Sequence, residues 1–360
     1  MIIHIDTGKT WRGGQQQAFY LHQSLCKSEY ESIMICKKRS CMAKKCEEHQ
    51  IPFLCLPLIS EIDIYSAWKV SLLLKNNGND ILHLHTAHAL SIGLLVKMFC
   101  RDIKLIGVRR VDFSIKKSML SNLKYQNTFL DVLVCISKNI YDVVLKDGVS
   151  AEKLRLIHSG IDTNRYAVLK SKVTKINHPP KQHLVIGTIA AYVGHKDYPT
   201  LLKAARLVLN ETNNVTFIAI GDGVLFNKMK KIHDELQLGK SFIMAGFQQD
   251  IKKYLHSFDI FVLASKKEGL GTSVLDAMSA RKAIVACNCG GIPEMIKHNI
   301  NGLLAEKENP NDLAEKILFL IKNSDLRERV AAQAEIDVQK FSIKHTINKN
   351  IELYRELTEK

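Results

Sequence analysis

The sequence is short of four things. No apolar run exceeds strand length, Ile260–Ala264 being representative, so no segment is built to cross a membrane. No Cys-x-x-Cys pair occurs, and the 9 cysteines are odd in number and irregularly spaced, the mark of a reducing compartment. Cys287 and Cys289 read as buried thiols on a strand. Aromatic residues make up only 7%, too few for a base-stacking platform. Acidic residues are scarce as well: 36 against 51 lysines and arginines, a net charge of +15. That balance suits nucleic acid, an anionic membrane surface or a phosphorylated substrate, or simply a lysine-rich surface. With 46% hydrophobic and 24% charged residues the chain is globular, and disorder, collagen and coiled coil are excluded. The start, MIIHIDTGKT, lacks the basic and long apolar stretches of a secretory signal.

A chain of 360 residues exceeds what one core usually organises, so two domains are expected. Apolar strands alternate with helical stretches. In the first half strands are expected at Ile2–Asp6, Ser32–Cys36, Phe53–Pro57, Ile81–His85, Lys104–Val108, Val132–Ser137 and Leu154–His158, with a helix over Gln15–Lys27 after the first. Continuous apolar strands separated by helices argue for a parallel sheet covered on both faces. The polar, basic stretch Lys170–Gln182, with Pro179 and Pro180, reads as a linker. The alternation then restarts, with strands at Leu184–Ala191, Val215–Gly221, Ser241–Gly246, Asp259–Ser265 and Ala283–Asn288. The helices of this half are expected at Thr200–Leu209, Leu225–Leu238, Ile251–Ser257, Thr272–Ala280 and Pro310–Lys322. A last helix, Ser342–Glu359, is placed to pack back onto the first half. The resulting domains are 1–168 and 184–341, joined by a linker at 169–183 and followed by the helix in 342–360. Two α/β halves imply a cleft between them, where ligands commonly bind.

Some motifs dissolve on inspection. Gly8-Lys9-Thr10 resembles the end of a P-loop, but the required earlier glycine is replaced by Ile3. Gly221-Asp222-Gly223 lacks the third glycine of a dinucleotide fingerprint, Phe226 standing in its place, and reads as a tight turn. His83, His85 and His88 are closely spaced, yet only the first two share a strand face and no acid completes a metal site, so none is expected. A histidine ending the strand is suited either to hydrogen bonding in the cleft or to a satisfied buried position.

The segment 265–302 carries more. A strand delivers the chain to a loop with Glu268, Gly269 and Gly271, and Thr272 or Ser273 then opens a helix. Hydroxyls and free backbone N–H groups at a helix start suit phosphate. Glu268 precedes the helix and Asp276 lies one turn inside it. Carboxylates beside a phosphate position suit hydroxyl groups, those of a sugar and a ribose. A phosphate flanked by two hydroxyl-bearing rings is a nucleotide sugar.

On these residues the chain resembles the retaining, nucleotide-sugar-dependent glycosyltransferases of family 4. The pattern S-x-x-E-G-x-G-x-x-x-L-[ED]-A-M, then G-G-x-x-E, is met by Ser265, Glu268, Gly269, Gly271, Leu275, Asp276, Ala277 and Met278, then Gly290, Gly291 and Glu294. The resemblance implies the GT-B fold, two Rossmann-like parallel-sheet domains facing each other across a cleft. It implies that Glu268 holds a donor-sugar hydroxyl and that Asp276, shorter than the usual Glu, holds the ribose. Gly13 and Gly14 match the family's early glycine turn at the donor phosphate, His85 its strand-ending histidine, and Ile157–Asp162 the segment leaving the first domain. Gly187–Leu202 matches the family's diphosphate segment with Lys196 in place, and Gly221 and Gly223 its glycine turn. Two features depart from the pattern. Ala191 stands where many members have an arginine, leaving His195 beside Lys196, a loss worth about 1.5–3 kcal/mol if uncompensated. Arg281 and Ala283 replace the usual Gly and Pro.

The resemblance implies sugar transfer from a nucleoside diphosphate to a hydroxyl with retention, the leaving phosphate taking the proton. Lys196 and the N–H groups near Thr272 and Ser273 would stabilise the leaving charge. Neither a metal nor another cofactor is required. The acceptor would be a glycan or lipid-linked molecule of bacterial surface-polysaccharide or lipopolysaccharide synthesis, bound by the first domain. Basic clusters concentrate there: Lys37-Lys38-Arg39, Lys44-Lys45, Arg109-Arg110 and Lys116-Lys117. Lys116–Tyr125 has the composition of an interfacial helix, consistent with a cytoplasmic protein touching the inner membrane, and a solvated lysine face explains the same residues as well. A GT-B epimerase or phosphorylase is the nearest rival, the latter without its cofactor lysine motif. A basic nucleic-acid-binding protein lacks any supporting motif.

Overall fold

The computed structural model describes residues 1–75, 79–166 and 183–359. The chain divides into two units, Met1–Gly160 with Ile343–Lys360, and Ile161–Ser342. It leaves the first unit at Gly160, earlier than the expected boundary at 168. The expected linker 169–183, His183 excepted, lies outside the described residues.

The first unit is built on seven strands: β1 (Ile2–Asp6), β2 (Ser32–Lys37), β3 (Phe53–Leu56), β4 (Asp80–Leu84), β5 (Ile103–Arg109), β6 (Val132–Cys135) and β7 (Leu154–Leu156). Their order is β3-β2-β1-β4-β5-β6-β7, and every neighbouring pair is parallel. β1 and β4 are buried along their whole length, as strands flanked on both sides and covered on both faces must be. The last strand is shorter than expected and stops at Leu156, leaving Ile157 and His158 in the loop. The helix Ile343–Thr358 belongs to this unit. Its Tyr354 hydroxyl meets His83 Nδ1 at 2.6 Å, Thr346 Oγ1 donates to the His158 carbonyl at 2.9 Å, and Glu356 pairs with Arg155 at 2.6 Å.

The second unit holds six strands: β8 (Leu184–Ile189), β9 (Val215–Ile220), β10 (Phe242–Gly246), β11 (Ile260–Leu263), β12 (Ala283–Cys287) and β13 (Leu303–Ala305). Their order is β10-β9-β8-β11-β12-β13, again parallel throughout. Its core gathers Ile186, Phe217, Val262, Val285 and Ile317, each such side chain worth about 1.5–3 kcal/mol in burial. The helix Pro310–Lys322 falls where the pattern put it, with Asn309 capping its first N–H groups. The edge strand β13 and the helix Ser324–Asp337 escaped the sequence reading. β13 has three residues, and the helix carries six charged residues in its 14, so neither shows a strong apolar period. Cys289 lies beyond β12 rather than on it, donating its thiol to the Ser265 carbonyl at 3.0 Å.

Both sheets have a switch point, at β1/β4 in the first and β8/β11 in the second, where the order of connections reverses. Loops leaving the carboxyl ends of strands beside such a point form the natural ligand crevice of a parallel sheet. Gly13, His85, Lys196 and Glu268 follow those ends, and Gly221 and Gly223 follow the next strand, β9. Among the described residues no helix is long and apolar enough to cross a membrane.

Candidate active site

In the second unit two loops meet. The first leaves β8 through Ala190–Val193, makes a tight turn at Gly194–Lys196, and enters the helix Tyr198–Glu211 through Asp197 in a left-handed conformation, φ 48°. The second leaves β11 through the fully buried Ser265 and runs to the helix Thr272–Ser279. The Lys266 N–H donates to the His195 carbonyl at 2.9 Å and ties the loops together. At their junction Lys196 Nζ donates to Glu268 Oε2 at 2.5 Å, and Ser265 Oγ donates to the same oxygen at 3.1 Å. Both charged side chains are mostly buried, with 14% and 13% of their surface exposed. The cation and first acid assigned from sequence are thus joined directly.

The backbone around Glu268 is fixed by glycine. Gly290 has φ 53°, and a Cβ there would lie 1.8 Å from the Glu268 carbonyl oxygen. The neighbouring Gly291 N–H donates to that same oxygen at 3.1 Å. Gly271, at φ 94°, turns the chain into its helix, which begins without a side-chain cap. The first-turn N–H groups of a helix have no partner within it, so Thr272 and Ser273 begin an anion-favouring end.

Asp276 has different neighbours from Glu268. Burial raises its carboxyl to about 6, opposed by the Arg165 charge and by the Tyr166 side chain. Neither Arg165 nor Tyr166 was singled out in the sequence. Nothing in their spacing links them to a helix more than 100 residues later.

The Gly221–Gly223 turn is required by packing. A Cβ on Gly221 would lie 2.0 Å from the Ala190 carbonyl oxygen, and one on Gly223 2.6 Å from that of Tyr192. The Tyr192 N–H donates to Asp222 O at 3.1 Å, so the turn rests on the segment that leads to Lys196. Tyr192 in turn stacks on Tyr198 at 3.8 Å between centroids.

The first unit assembles its own cluster. Gly13 and Gly14 open the helix Gly13–Cys26, and a Cβ on Gly14 would come within 3.1 Å of the Arg110 side chain. Arg110 reaches His85 Nδ1 and Ser159 Oγ, each at 3.5 Å, and its Nε has no hydrogen-bond partner among the described residues. His85 Nε2 lies 3.0 Å from His4 Nδ1. An arginine can only donate, so His85 Nδ1 accepts, and its Nε2–H donates to His4. Burial, followed by the neighbouring His83, His4 and Arg110, holds His85 well below the usual range. Burial, followed by the Arg110 charge, lowers His83 to about 3.

His4 and Arg110 were not recognised as site residues. His4 pairs in register with His83 across β1 and β4, a relation that alternation on one strand cannot reveal. The Arg109-Arg110 pair is not the exposed basic cluster expected: Arg109 is buried, donating to Phe113 O at 2.5 Å and covering the Tyr125 ring. His4, His83 and His85 bring ring nitrogens within 4.8 Å of one another. Their rings are stacked, His83 on His85 at 22° and His4 on His85 at 24°, whereas ligands to one ion turn their lone pairs onto a common point. His88 lies apart, against the Ser60 carbonyl.

Two parallel-sheet, Rossmann-like units are the architecture of the GT-B fold. The comparisons agree. Residues 11–165 match the sequence model described as Glycosyltransferase Family 4, and residues 170–337 that described as Glycosyl transferases group 1. An uncharacterised glycosyltransferase of Methanocaldococcus jannaschii is 28% identical over 309 residues, 82% of this chain and 81% of that protein. The UDP-Gal:alpha-D-GlcNAc-diphosphoundecaprenol alpha-1,3-galactosyltransferase of Escherichia coli is 23% identical over 352 residues, 90% and 88% of the two chains. Anabaena HepE, solved with UDP and glucose, superposes with a TM-score of 0.84 over 99% of both chains at 18% identity. The chain belongs to the family 4 glycosyltransferases.

Proposed function

We propose that the protein transfers a sugar from a nucleoside diphosphate to a hydroxyl of a glycan or lipid-linked acceptor, with retention at the anomeric carbon. The Lys196–Glu268 pair carries the reading. A lysine and an acid fixed at the carboxyl edge of a parallel sheet, beside a helix start, offer a cation to a diphosphate and a carboxylate to a sugar hydroxyl. Glu268 takes the hydroxyl. Lys196, with the N–H groups at Gly269, Gly271, Thr272 and Ser273, receives the leaving charge as it develops. Asp276 takes the ribose. Gly221 and Gly223 keep the Lys196 loop in place. In the first unit Gly13 and Gly14 allow close approach of donor phosphate, and neutral His85 supplies a hydrogen bond.

The names of related proteins support the substrate class: HepE was solved with UDP and glucose, and the Escherichia coli relative is named for UDP-galactose and a diphosphoundecaprenol-linked sugar. A lipid-linked acceptor places the reaction at the cytoplasmic face of a bacterial inner membrane, in surface-polysaccharide synthesis. No general base and no metal is required when the leaving phosphate itself takes the proton.

The test is a thermal-shift screen with UDP-, GDP-, ADP- and CMP-sugars, repeated on Glu268→Ala/Lys196→Ala. One donor class should raise the melting temperature of the wild type and leave the double variant unmoved; equal binding by both removes the site. Proton NMR of the product's anomeric centre checks retention, and full loss of turnover in a chelator defeats the metal-free mechanism.

A further inference from the structure

Arg110 is a half-buried cation without a counter-charge. It follows β5 at the carboxyl edge of the first sheet, and its Cδ would lie 3.1 Å from a Cβ on Gly14. Its Nε is enclosed and has no hydrogen-bond partner among the described residues. Its terminal nitrogens make two long contacts, each 3.5 Å, to Ser159 Oγ and to His85 Nδ1, both uncharged groups. The acid whose charge reaches it is Asp6, and that carboxylate is already engaged. It accepts from the Gly8 N–H at 2.8 Å and from Gln15 Nε2 at 3.1 Å. Burial brings the guanidinium down to about 10, the mark of a charge held partly out of water.

The surroundings add positive charge instead of cancelling it. The helix Gly13–Cys26 starts against Arg110, with no side-chain cap and no acid in its first turn. The first N–H groups of a helix have no partner within it and carry the positive end of its dipole. The exposed Arg12 precedes them. On the other side the guanidinium is steadied by two buried histidines. His85 Nε2–H donates to His4 Nδ1 at 3.0 Å, which leaves the Nδ1 lone pair of His85 facing Arg110. An enclosed cation with no acid beside it weakens the fold unless an anion completes it.

We propose that Arg110 binds a phosphate group of a substrate, its guanidinium fork taking two oxygens and the N–H groups of Gly13 and Gly14 a third. A planar fork beside free helix N–H groups matches the several oxygens of a phosphate. A carboxylate would use the fork alone and leave the helix start unmet. His85 and His4 are positioning residues for the fork. The inference deepens the proposed sugar transfer and rests on it only for the source of the phosphate. That source is the nucleoside diphosphate of the donor or the diphosphate of a lipid-linked acceptor.

The experiment is calorimetric titration of the full chain, as wild type, Arg110→Lys and Arg110→Met, with inorganic pyrophosphate, UDP and farnesyl diphosphate. Pyrophosphate affinity should fall at least about tenfold in Arg110→Met, and by less in Arg110→Lys, which keeps the charge and loses the fork. If UDP follows pyrophosphate and farnesyl diphosphate does not, the phosphate is the donor's; the reverse gives it to the acceptor. Either result supports the site. A wild type that binds none of the three probes, or affinities that Arg110→Met leaves unchanged for all of them, overturns it. Melting without added anion separates binding from a structural role. Arg110→Met should melt no lower than the wild type, having no counter-charge to lose, and should gain less from pyrophosphate. A variant that melts lower yet binds pyrophosphate as the wild type does also overturns the proposal. Arg110-dependent phosphate binding by a chain that transfers no sugar would defeat the proposed reaction and leave this site standing. Sugar transfer by Arg110→Met at the wild-type rate would do the reverse.

Discussion

Lys196 and Glu268 lie 72 residues apart in sequence and form a 2.5 Å ion pair with most of each side chain buried. Removing one partner leaves the other charged and poorly hydrated, whereas removing both leaves only a loss of packing. Lys196→Ala and Glu268→Ala should each destabilise the chain by about 1–3 kcal/mol, and the double variant by clearly less than their sum. Urea melts of the four species measure the coupling. Additive losses would mean that the two side chains do not meet in solution.

Gly290 supports the same acid through the backbone. Any Cβ there collides with the Glu268 carbonyl, and the positive φ is disfavoured for other residues. Gly290→Ala should cost about 2–4 kcal/mol and abolish nucleotide-sugar binding with Glu268 unchanged in the sequence. Gly194→Ala is the control, since a Cβ on Gly194 meets nothing within 4 Å. Equal behaviour of the two variants would reject the steric account.

Most of the strands were legible because buried parallel strands are written as short continuous apolar runs, such as Ile2–Asp6 and Ile260–Leu263. The loop from Glu268 to Asp276 stood out because a glycine-rich turn before a helix is a local pattern, whereas Lys196 was singled out only through the family resemblance of Gly187–Leu202. The relations hidden from the sequence are those made across strands or between distant loops. His4 meets His85 only through the β1–β4 pairing, Asp276 meets Arg165 and Tyr166 across more than 100 residues, and Lys124 turns inward only because Glu61 receives it. Lys116–Tyr125 read as an amphipathic segment, but that Lys124 belongs to its buried side is a tertiary fact.

The buried histidines predict acid lability. His4 and His85 are held well below the ordinary value of 6.5, His22 at about 4 and His83 at about 3, burial being the main cause in each. As pH falls below 6.5 the unfolded chain takes up protons that the folded chain refuses, so stability falls. Raised carboxyls work in the opposite direction, but Asp6 and Asp276 are two against four histidines. The melting temperature should therefore drop on acidification from about pH 6.5 towards pH 4. His22→Gln should recover about 2 kcal/mol of the loss between neutral pH and about pH 5, seen as a shallower slope. A purely structural effect would shift the whole curve without changing that slope.

Asp276 gives a pH dependence of the opposite sign. Its folded value of about 6 lies above the ordinary 3.8 because burial outweighs Arg165 and Tyr166. Below 3.8 both states hold the proton and the group contributes nothing. Between 3.8 and about 6 the unfolded chain ionises first, so stability falls as pH rises, then levels off once the folded carboxyl has also ionised. Asp276→Asn should remove this segment of the profile and be the more stable form above about pH 6, with the advantage vanishing towards acid. Donor binding should run the other way. A carboxylate that accepts ribose hydroxyls is a better acceptor ionised, so wild-type affinity for the nucleotide sugar should rise through about pH 6. In Asp276→Asn it should be weaker and flat across that range. Calorimetric titration at a series of pH values reads both, and an Asn variant that keeps the wild-type inflection would take the ribose contact away from Asp276.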